Sequence, residues 1–224
     1  MSQIIDVTKF GAKPNGADCT LAVLKALEAC RSTLEPILWF PKGNWHFYPE
    51  FAWESYFAIS NNTSGVKRCA LPIINFKNLT VSGDDSTFIM HGILSGVIIS
   101  ESQNITLNNF AIDWEHPFYT QGLVTSATNN YFDVQLPTNP NWEVKNEELW
   151  LAEEGWQFPF TYFLEFDAIT RAPAYKVKDN AGSPWNLKRR VEKLNDGLIR
   201  VHVPMLTPPK INNIIVLRAG DRYA

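Results

Sequence analysis

The sequence predicts a mainly β protein in two parts: a β-solenoid that starts with one amphipathic helix, then a small antiparallel barrel or sandwich. Residues 77–81 (KNLTV) match residues 103–107 (QNITL) at an offset of 26 residues. Repeats of about 20–30 residues built from short strands are typical of solenoids, in which each coil stacks on the last. From Phe118 onward the repeat stops and hairpin patterns replace it.

The helix is predicted to lie between Asp18 and Pro36. Asp18 or Thr20 can cap its first turn, because both side chains accept hydrogen bonds from backbone N–H groups. Pro36 ends any continuation. The side expected to face the core is defined by apolar residues near helical spacing, Leu21, Val23, Leu24, Leu27 and Cys30.

Short β-rich segments separated by Asn, Gly and Pro make up the rest of the chain. In the first part they are residues 37–40, 45–48, 86–90 and 96–100. In the second part, residues 122–126 and 131–136 flank a Thr-Asn-Asn turn and predict a hairpin. Further strands are expected at residues 148–151, 198–203 and 213–217.

Composition excludes several classes of protein. The 20 Lys and Arg against 23 Asp and Glu argue against nucleic-acid binding, which normally needs a basic surface. No apolar run approaches the roughly 18 residues of a membrane span, and no signal peptide is visible at the N-terminus. The three Cys and four His have neither CxxC nor HExxH spacing, so we expect no metal and no cofactor.

Aromatic residues are abundant, with 8 Trp, 7 Tyr and 14 Phe. A Trp ring can pack in a protein core or stack on the apolar face of a sugar. Trp150, Trp156 and Trp185 lie in the predicted barrel, and the sequence leaves both interpretations open for each of them.

Two motifs carry a family resemblance. Residues 6–13 (DVTKFGAK), the helix, and residues 39–45 (WFPKGNW) resemble the start of pectate-lyase-like right-handed β-helix proteins, in which the helix caps the solenoid. Residues 80–83, 86–92 and 104–115, the last reading NITLNNFAIDWE, resemble glycoside hydrolase family 110. That family contains exo-acting α-1,3-galactosidases with a β-barrel inserted into the β-helix.

The resemblance implies three segments: a capping helix and first β-helix coils in residues 1–117, an inserted barrel in 118–217, and the start of a return to the β-helix in 218–224. It also implies metal-independent hydrolysis of terminal α-linked galactose on glycans, with inversion, by a secreted or periplasmic protein. Family members are much longer, and their catalytic carboxylates are expected on later coils. We therefore expect the N-terminal portion of such an enzyme, or a truncated homologue, without catalytic residues.

Four residues are candidates for substrate binding. Asp113 and Glu115 are two residues apart, so both are expected to project from one face of a strand. The expected distance between their Cα atoms is roughly 6–7 Å, which is near the carboxyl–carboxyl distance of an inverting pair. The alternative is a turn in which Asp113 accepts backbone N–H groups and Glu115 is solvated. Gln121 could bind a sugar hydroxyl or anchor a loop. Trp156 could stack on galactose.

Two other functions stay open. The chain could be a non-catalytic carbohydrate-binding module, in which aromatic loops hold a glycan. It could also be an assembly piece that self-associates, because an open solenoid end offers unpaired strand edges to a partner.

Overall fold

The computed structural model describes residues 2–58, 64–138, 141–153, 155–178 and 189–219, and of Glu153 only the backbone. The chain divides into two compact units, with the boundary between His116 and Pro117. Trp185 and residues 220–224 lie outside the described residues.

The described residues of the first unit form one α-helix and nine strands. Short 3₁₀ helices at Val7–Phe10, Cys30–Ser32 and Pro49–Phe51 join some of them. The elements are β1 (Gln3–Asp6), β2 (Asn15–Asp18), α1 (Thr20–Ala29), β3 (Pro36–Trp39), β4 (Asn44–Phe47), β5 (Trp53–Ala58), β6 (Ser64–Ile74), β7 (Thr80–Met90), β8 (Ser95–Ser100) and β9 (Thr106–Trp114).

Strand β7 is the centre of a parallel sheet. Its first half pairs with β3, its second half pairs with β4, and its other edge pairs with β9 along its length. Strands β1 and β2 extend the sheet beyond β3 and β4. A second sheet has the order β5-β6-β8, in which β6 and β8 are parallel.

The 26-residue repeat predicted from the sequence is the register of the strand pairing. Thr80 pairs with Thr106 in one sheet and Leu71 pairs with Val97 in the other. An isolated parallel bridge joins Lys77 to Gln103 between them. The predicted repeat is therefore confirmed: residues 26 positions apart lie side by side on paired strands.

Turn residues repeat with the same offset. Asn78 and Asn104 both adopt left-handed backbone, with φ of 56° and 57°. The side-chain amide of Asn104 donates a 2.8 Å hydrogen bond to Oδ1 of Asn78. Asn75 and Glu101 repeat the pattern with φ of 57° and 49°. Asn tolerates this conformation better than most residues, which explains the Asn-rich turns.

The register shifts once inside the β7–β9 pair. Ser82 pairs with Asn108, but Ser86 pairs with Phe110, so residues 83–85 lie opposite Asn109 alone. At this point a Cβ built on Gly83 would lie 2.4 Å from Cβ of Phe110 and 2.8 Å from the carbonyl oxygen of Asn109. Gly83 is therefore required by the close approach of β9.

Aromatic rings fill the core of the first unit. Phe88 contacts Phe40 at 4.5 Å, Phe110 at 4.4 Å and Phe47 at 5.6 Å between ring centroids. The Nε1 of Trp45, which is fully buried, donates to the carbonyl of Pro41 and to Oγ of Ser86.

The helix packs with a narrower face than predicted. Val23, Ala26 and Leu27 are buried, whereas Leu21 is 47% exposed and Leu24 is half-buried. The prediction that Leu21 faces the core is wrong. At 100° per residue, Leu21 lies about 200° from Val23 and so on the opposite side of the helix. The N-cap residue is Cys19, whose side chain makes no capping hydrogen bond, rather than the predicted Asp18 or Thr20. Asp18, one residue earlier, accepts a 2.8 Å hydrogen bond at Oδ1 from the backbone N–H of Thr20.

The second unit is an eight-stranded antiparallel sheet that curls into a nearly closed barrel. The strand order is β12-β13-β14-β17-β10-β11-β16-β15. The strands are β10 (Tyr119–Ala127), β11 (Tyr131–Gln135), β12 (Trp142–Lys145), β13 (Glu148–Glu153), β14 (Trp156–Phe166), β15 (Arg190–Lys193), β16 (Leu198–His202) and β17 (Ile214–Ala219).

The two end strands approach each other across the remaining gap. The backbone N–H of Val191, in β15, donates a 2.7 Å hydrogen bond to the carbonyl of Glu147, in the β12–β13 turn. Inside the sheet, Arg200 and Asp133 are register partners and form a two-point ion pair at 2.7 and 2.8 Å. The predicted hairpin and the later strands are confirmed, and of the two predicted architectures the barrel is the one observed.

No helix in the described part of the chain is long and apolar enough to cross a membrane.

The close approach at Gly83 can be tested with an alanine pair. We expect Gly83→Ala to lower the free energy of unfolding by about 1–3 kcal/mol, because the added methyl group overpacks the contact with Phe110. Gly65→Ala is the matched control, since its Cβ would meet nothing within 4 Å. Urea denaturation measures both variants, and equal stability of the two would contradict the described packing.

Candidate functional site

Polar side chains collect where β4, β7 and β9 end. His46 pairs with Ile89, and Ile89 pairs with Asp113. The ladder continues beyond the strands. The backbone N–H of His91 donates to the carbonyl of Phe47 at 2.9 Å, and that of Glu115 donates to the carbonyl of Met90 at 3.0 Å. Tyr48, His91 and Glu115 therefore follow one another across three neighbouring segments.

The alternation of the strands decides which side chains reach solvent. Phe47 and Met90 are fully buried, and Trp114 packs against the same core. Because successive side chains point to opposite faces, the residues on either side of these three point outward. This outward face, called the polar row below, carries His46, Tyr48, His91, Asp113 and Glu115.

Two imidazoles and a phenol ring pack together in the polar row. Nδ1 of His46 lies 2.8 Å from Nε2 of His91, so one ring donates a hydrogen bond to the other. The ring of Tyr48 stacks flat on His91, with centroids 3.9 Å apart and an interplanar angle of 6°. Glu115 has a carboxylate oxygen within 4.8 Å of a ring nitrogen of each histidine.

The pKa of His91 is lowered from its ordinary value. Partial burial is the largest cause, and the neighbouring His46 adds to it, whereas Glu115 acts in the opposite direction. Each of the first two disfavours a positive charge on the ring. His91 is therefore held as the neutral imidazole near pH 7, with one nitrogen able to accept a hydrogen bond or bind a cation.

Asp113 and Glu115 share this outward face, as their spacing predicts. Both are exposed, and Oδ1 of Asp113 accepts a 2.8 Å hydrogen bond from the backbone N–H of Trp114. A hydrogen bond of this kind is expected if Asp113 anchors a turn, the alternative to substrate binding. Both carboxylates are nevertheless accessible to a ligand. Their role in substrate binding stays a prediction.

The other two predicted residues lie in the second unit. Gln121 is an exposed residue of β10, paired with Val216 of β17. Trp156 is only 6% exposed, and its ring lies 4.9 Å from the ring of Phe118 and 5.7 Å from that of Phe158 between centroids. Of the two interpretations that the sequence left open for Trp156, this burial supports barrel core.

Sequence reasoning missed His46, Tyr48 and His91. The two histidines are 45 residues apart and look unrelated in the sequence. The available signal was the alternation of outward and buried side chains in residues 45–48 (WHFY) and 88–92 (FIMHG). Each histidine follows or precedes a core residue and therefore lies on the outer face of its strand. This signal becomes informative only when the register between β4 and β7 is known.

The polar row can do two things chemically. Its carboxylates, imidazoles and phenol offer donors and acceptors to a polyhydroxylated ligand. Two histidine nitrogens and one carboxylate within 4.8 Å of one another could also hold a metal ion, with His46, His91 and Glu115 as ligands.

Comparison with known proteins gives the family. The chain is 33% identical over 97% of its length to α-1,3-galactosidase A from Shewanella woodyi. It is 32% identical over 99% of its length to α-1,3-galactosidase B from Bacteroides thetaiotaomicron. The resemblance to the family 110 α-1,3-galactosidases is confirmed. The family profile described as GLAA-B beta-barrel domain I matches residues 120–215, which are residues of the second unit.

The two alignments include nearly all of this chain but only part of each relative. The aligned region makes up 36% of the Shewanella woodyi protein and 37% of the Bacteroides thetaiotaomicron protein. The chain therefore spans about a third of the length of these curated family members.

The burial of Trp156 leads to a stability prediction. We expect Trp156→Ala to lower the free energy of unfolding by about 3–5 kcal/mol, because it removes a large buried ring. Trp142→Ala is the control in the same unit, since Trp142 is half-buried and its Nε1 donates to the carbonyl of Pro137. Guanidinium denaturation gives both values. A Trp156 variant no less stable than the Trp142 variant would contradict core packing.

Proposed function

We propose that this chain is a glycan-binding portion of an exo-acting α-1,3-galactosidase, which hydrolyses terminal α-linked galactose on glycans with inversion. The observation that carries the proposal is the 33% identity to α-1,3-galactosidase A of Shewanella woodyi across 97% of the chain. The activity requires an acid and a base on opposite sides of the glycosidic bond. We place the catalytic pair in the parts of the family members to which this chain does not align.

The proposed architecture has two main segments. Residues 1–117 form the capping helix and first coils of a right-handed parallel β-helix, and residues from 118 onward form an inserted barrel, whose last strand β17 runs to Ala219, two residues beyond the predicted end at residue 217. Support for the β-helix comes from parallel strand pairs in two sheets that share one offset, with Leu71 paired with Val97 and Thr80 paired with Thr106. The left-handed turn residues repeat at the same offset.

The polar row is the proposed galactoside-binding surface of the first unit. Galactose presents several hydroxyl groups, each a donor and an acceptor. The exposed carboxylates of Asp113 and Glu115 accept hydrogen bonds from such hydroxyls, and charged acceptors make stronger bonds than neutral ones. Gln121, in the second unit, is proposed separately as a residue whose amide could bind a sugar hydroxyl. A glycan substrate of this kind also suits a secreted or periplasmic protein.

Binding is the direct test of this surface. We expect the chain to bind α-1,3-linked galactobiose more tightly than the β-linked disaccharide lactose in isothermal titration calorimetry. The double variant Asp113→Asn with Glu115→Gln should weaken α-galactoside binding at least about tenfold, since it removes two charged acceptors. Glu50→Gln, at an exposed carboxylate in the same unit, should leave binding unchanged.

Turnover provides the complementary measurement. We expect no release of the aryl group from an aryl α-galactoside by this chain. Turnover that disappears in Asp113→Asn would overturn the assignment of the catalytic pair to other segments. Equal affinity for the two disaccharides, or binding that the double variant leaves intact, would overturn the proposed surface. Strong binding through the second unit alone would instead indicate a carbohydrate-binding module.

A further inference from the structure

We propose that His46, His91 and Glu115 form a binding site for a divalent transition-metal ion of the zinc type. The proposal goes beyond the galactosidase function, which needs no metal, and does not depend on it. It also departs from the expectation from sequence spacing, because the three residues come from three separate segments.

The backbone fixes the three donors relative to one another. His46 lies in β4, held between β2 and β7 by its pairing with Asp18 and Ile89. His91 and Glu115 follow β7 and β9 directly, and each donates a ladder hydrogen bond to its neighbour, at 2.9 and 3.0 Å. A site supported on paired strands is held more precisely than one on free loops.

The ring nitrogens of the two histidines lie close enough for joint coordination. Tyr48 stacks on His91 and limits its rotation. Nδ1 of His46 faces Nε2 of His91 at 2.8 Å. Two nitrogens bound tetrahedrally at 2.0–2.1 Å from zinc are about 3.3 Å apart, so binding needs the two nitrogens to separate by about 0.5 Å and both rings to turn toward the ion. A metal ion would replace the hydrogen bond between the rings.

The donor set selects the class of metal. Imidazole nitrogens suit zinc, cobalt, nickel and copper, whereas magnesium and calcium prefer oxygen ligands. Two histidines and one glutamate are the three protein ligands of several zinc sites that keep a fourth position open. Glu115 is exposed, so that fourth position faces solvent and can accept water or a ligand oxygen.

The local charge is compatible with a dication. The site has one acidic ligand, Glu115, and two imidazole ligands, which bind a metal ion in their neutral form. Asp18, the register partner of His46, adds a second acidic group close enough to act electrostatically on His91. His116 follows Glu115 and is exposed.

The experiment uses the untagged chain, stripped with EDTA and dialysed. Calorimetry with zinc chloride should show one ion per chain, and cobalt chloride should give the visible absorption of nitrogen- and oxygen-coordinated Co²⁺. His91→Gln and Glu115→Gln should each weaken zinc binding at least about tenfold, because even outer-shell changes cost about 10–100-fold. Circular dichroism checks that both variants fold.

His202→Gln is the matched control. Nε2 of His202 lies 3.2 Å from a carboxylate oxygen of Glu192, so it offers a histidine beside a carboxylate in the second unit. We expect this variant to bind zinc as the unchanged chain does. The proposal is overturned if no zinc binds, if magnesium binds as tightly as zinc, or if folded His91→Gln and Glu115→Gln variants retain full affinity.

Discussion

The in-register parallel pairing of β7 with β4 and β9 is the constraint on which the first unit depends. It sets Phe47, Met90 and Trp114 side by side against the core. The same pairing forces their neighbours to the outer face, because side chains alternate along a strand. Core packing and the polar row are therefore two consequences of one register. If one strand shifted by one residue against its neighbour, its core side chains would face solvent and its polar side chains would face the core.

The second unit is closed by different means. Antiparallel hairpins need no long connections, so local turns bring most of its strands together. The Asp133–Arg200 pair fixes the register of β11 against β16 with two charge-assisted hydrogen bonds. The family profile matches residues 120–215, which lie in this unit.

The features that could be predicted from the sequence are those that depend on local patterns. The 26-residue offset was readable because Asn78 and Asn104 occupy equivalent left-handed turns. The hairpin around residues 128–130 was readable from its turn chemistry. The packing face of the helix was only partly readable, since Leu21 is apolar yet exposed and nothing in its spacing shows which side meets the sheet. The contact between His46 and His91 could not be predicted, because it depends on the pairing of β4 with β7, which joins residues far apart in the sequence.

The register itself can be measured with engineered cysteine pairs. Ile89 and Asp113 are partners on the outer face. Their Cα atoms are expected to lie about 5 Å apart, within disulfide reach. Thr87 and Asp113 are two residues out of register, at about 8 Å, beyond that reach. We predict that mild oxidation joins Ile89→Cys to Asp113→Cys, as seen by mass spectrometry, and leaves Thr87→Cys with Asp113→Cys unjoined. Preferential joining of the second pair would contradict the register and, with it, the polar row.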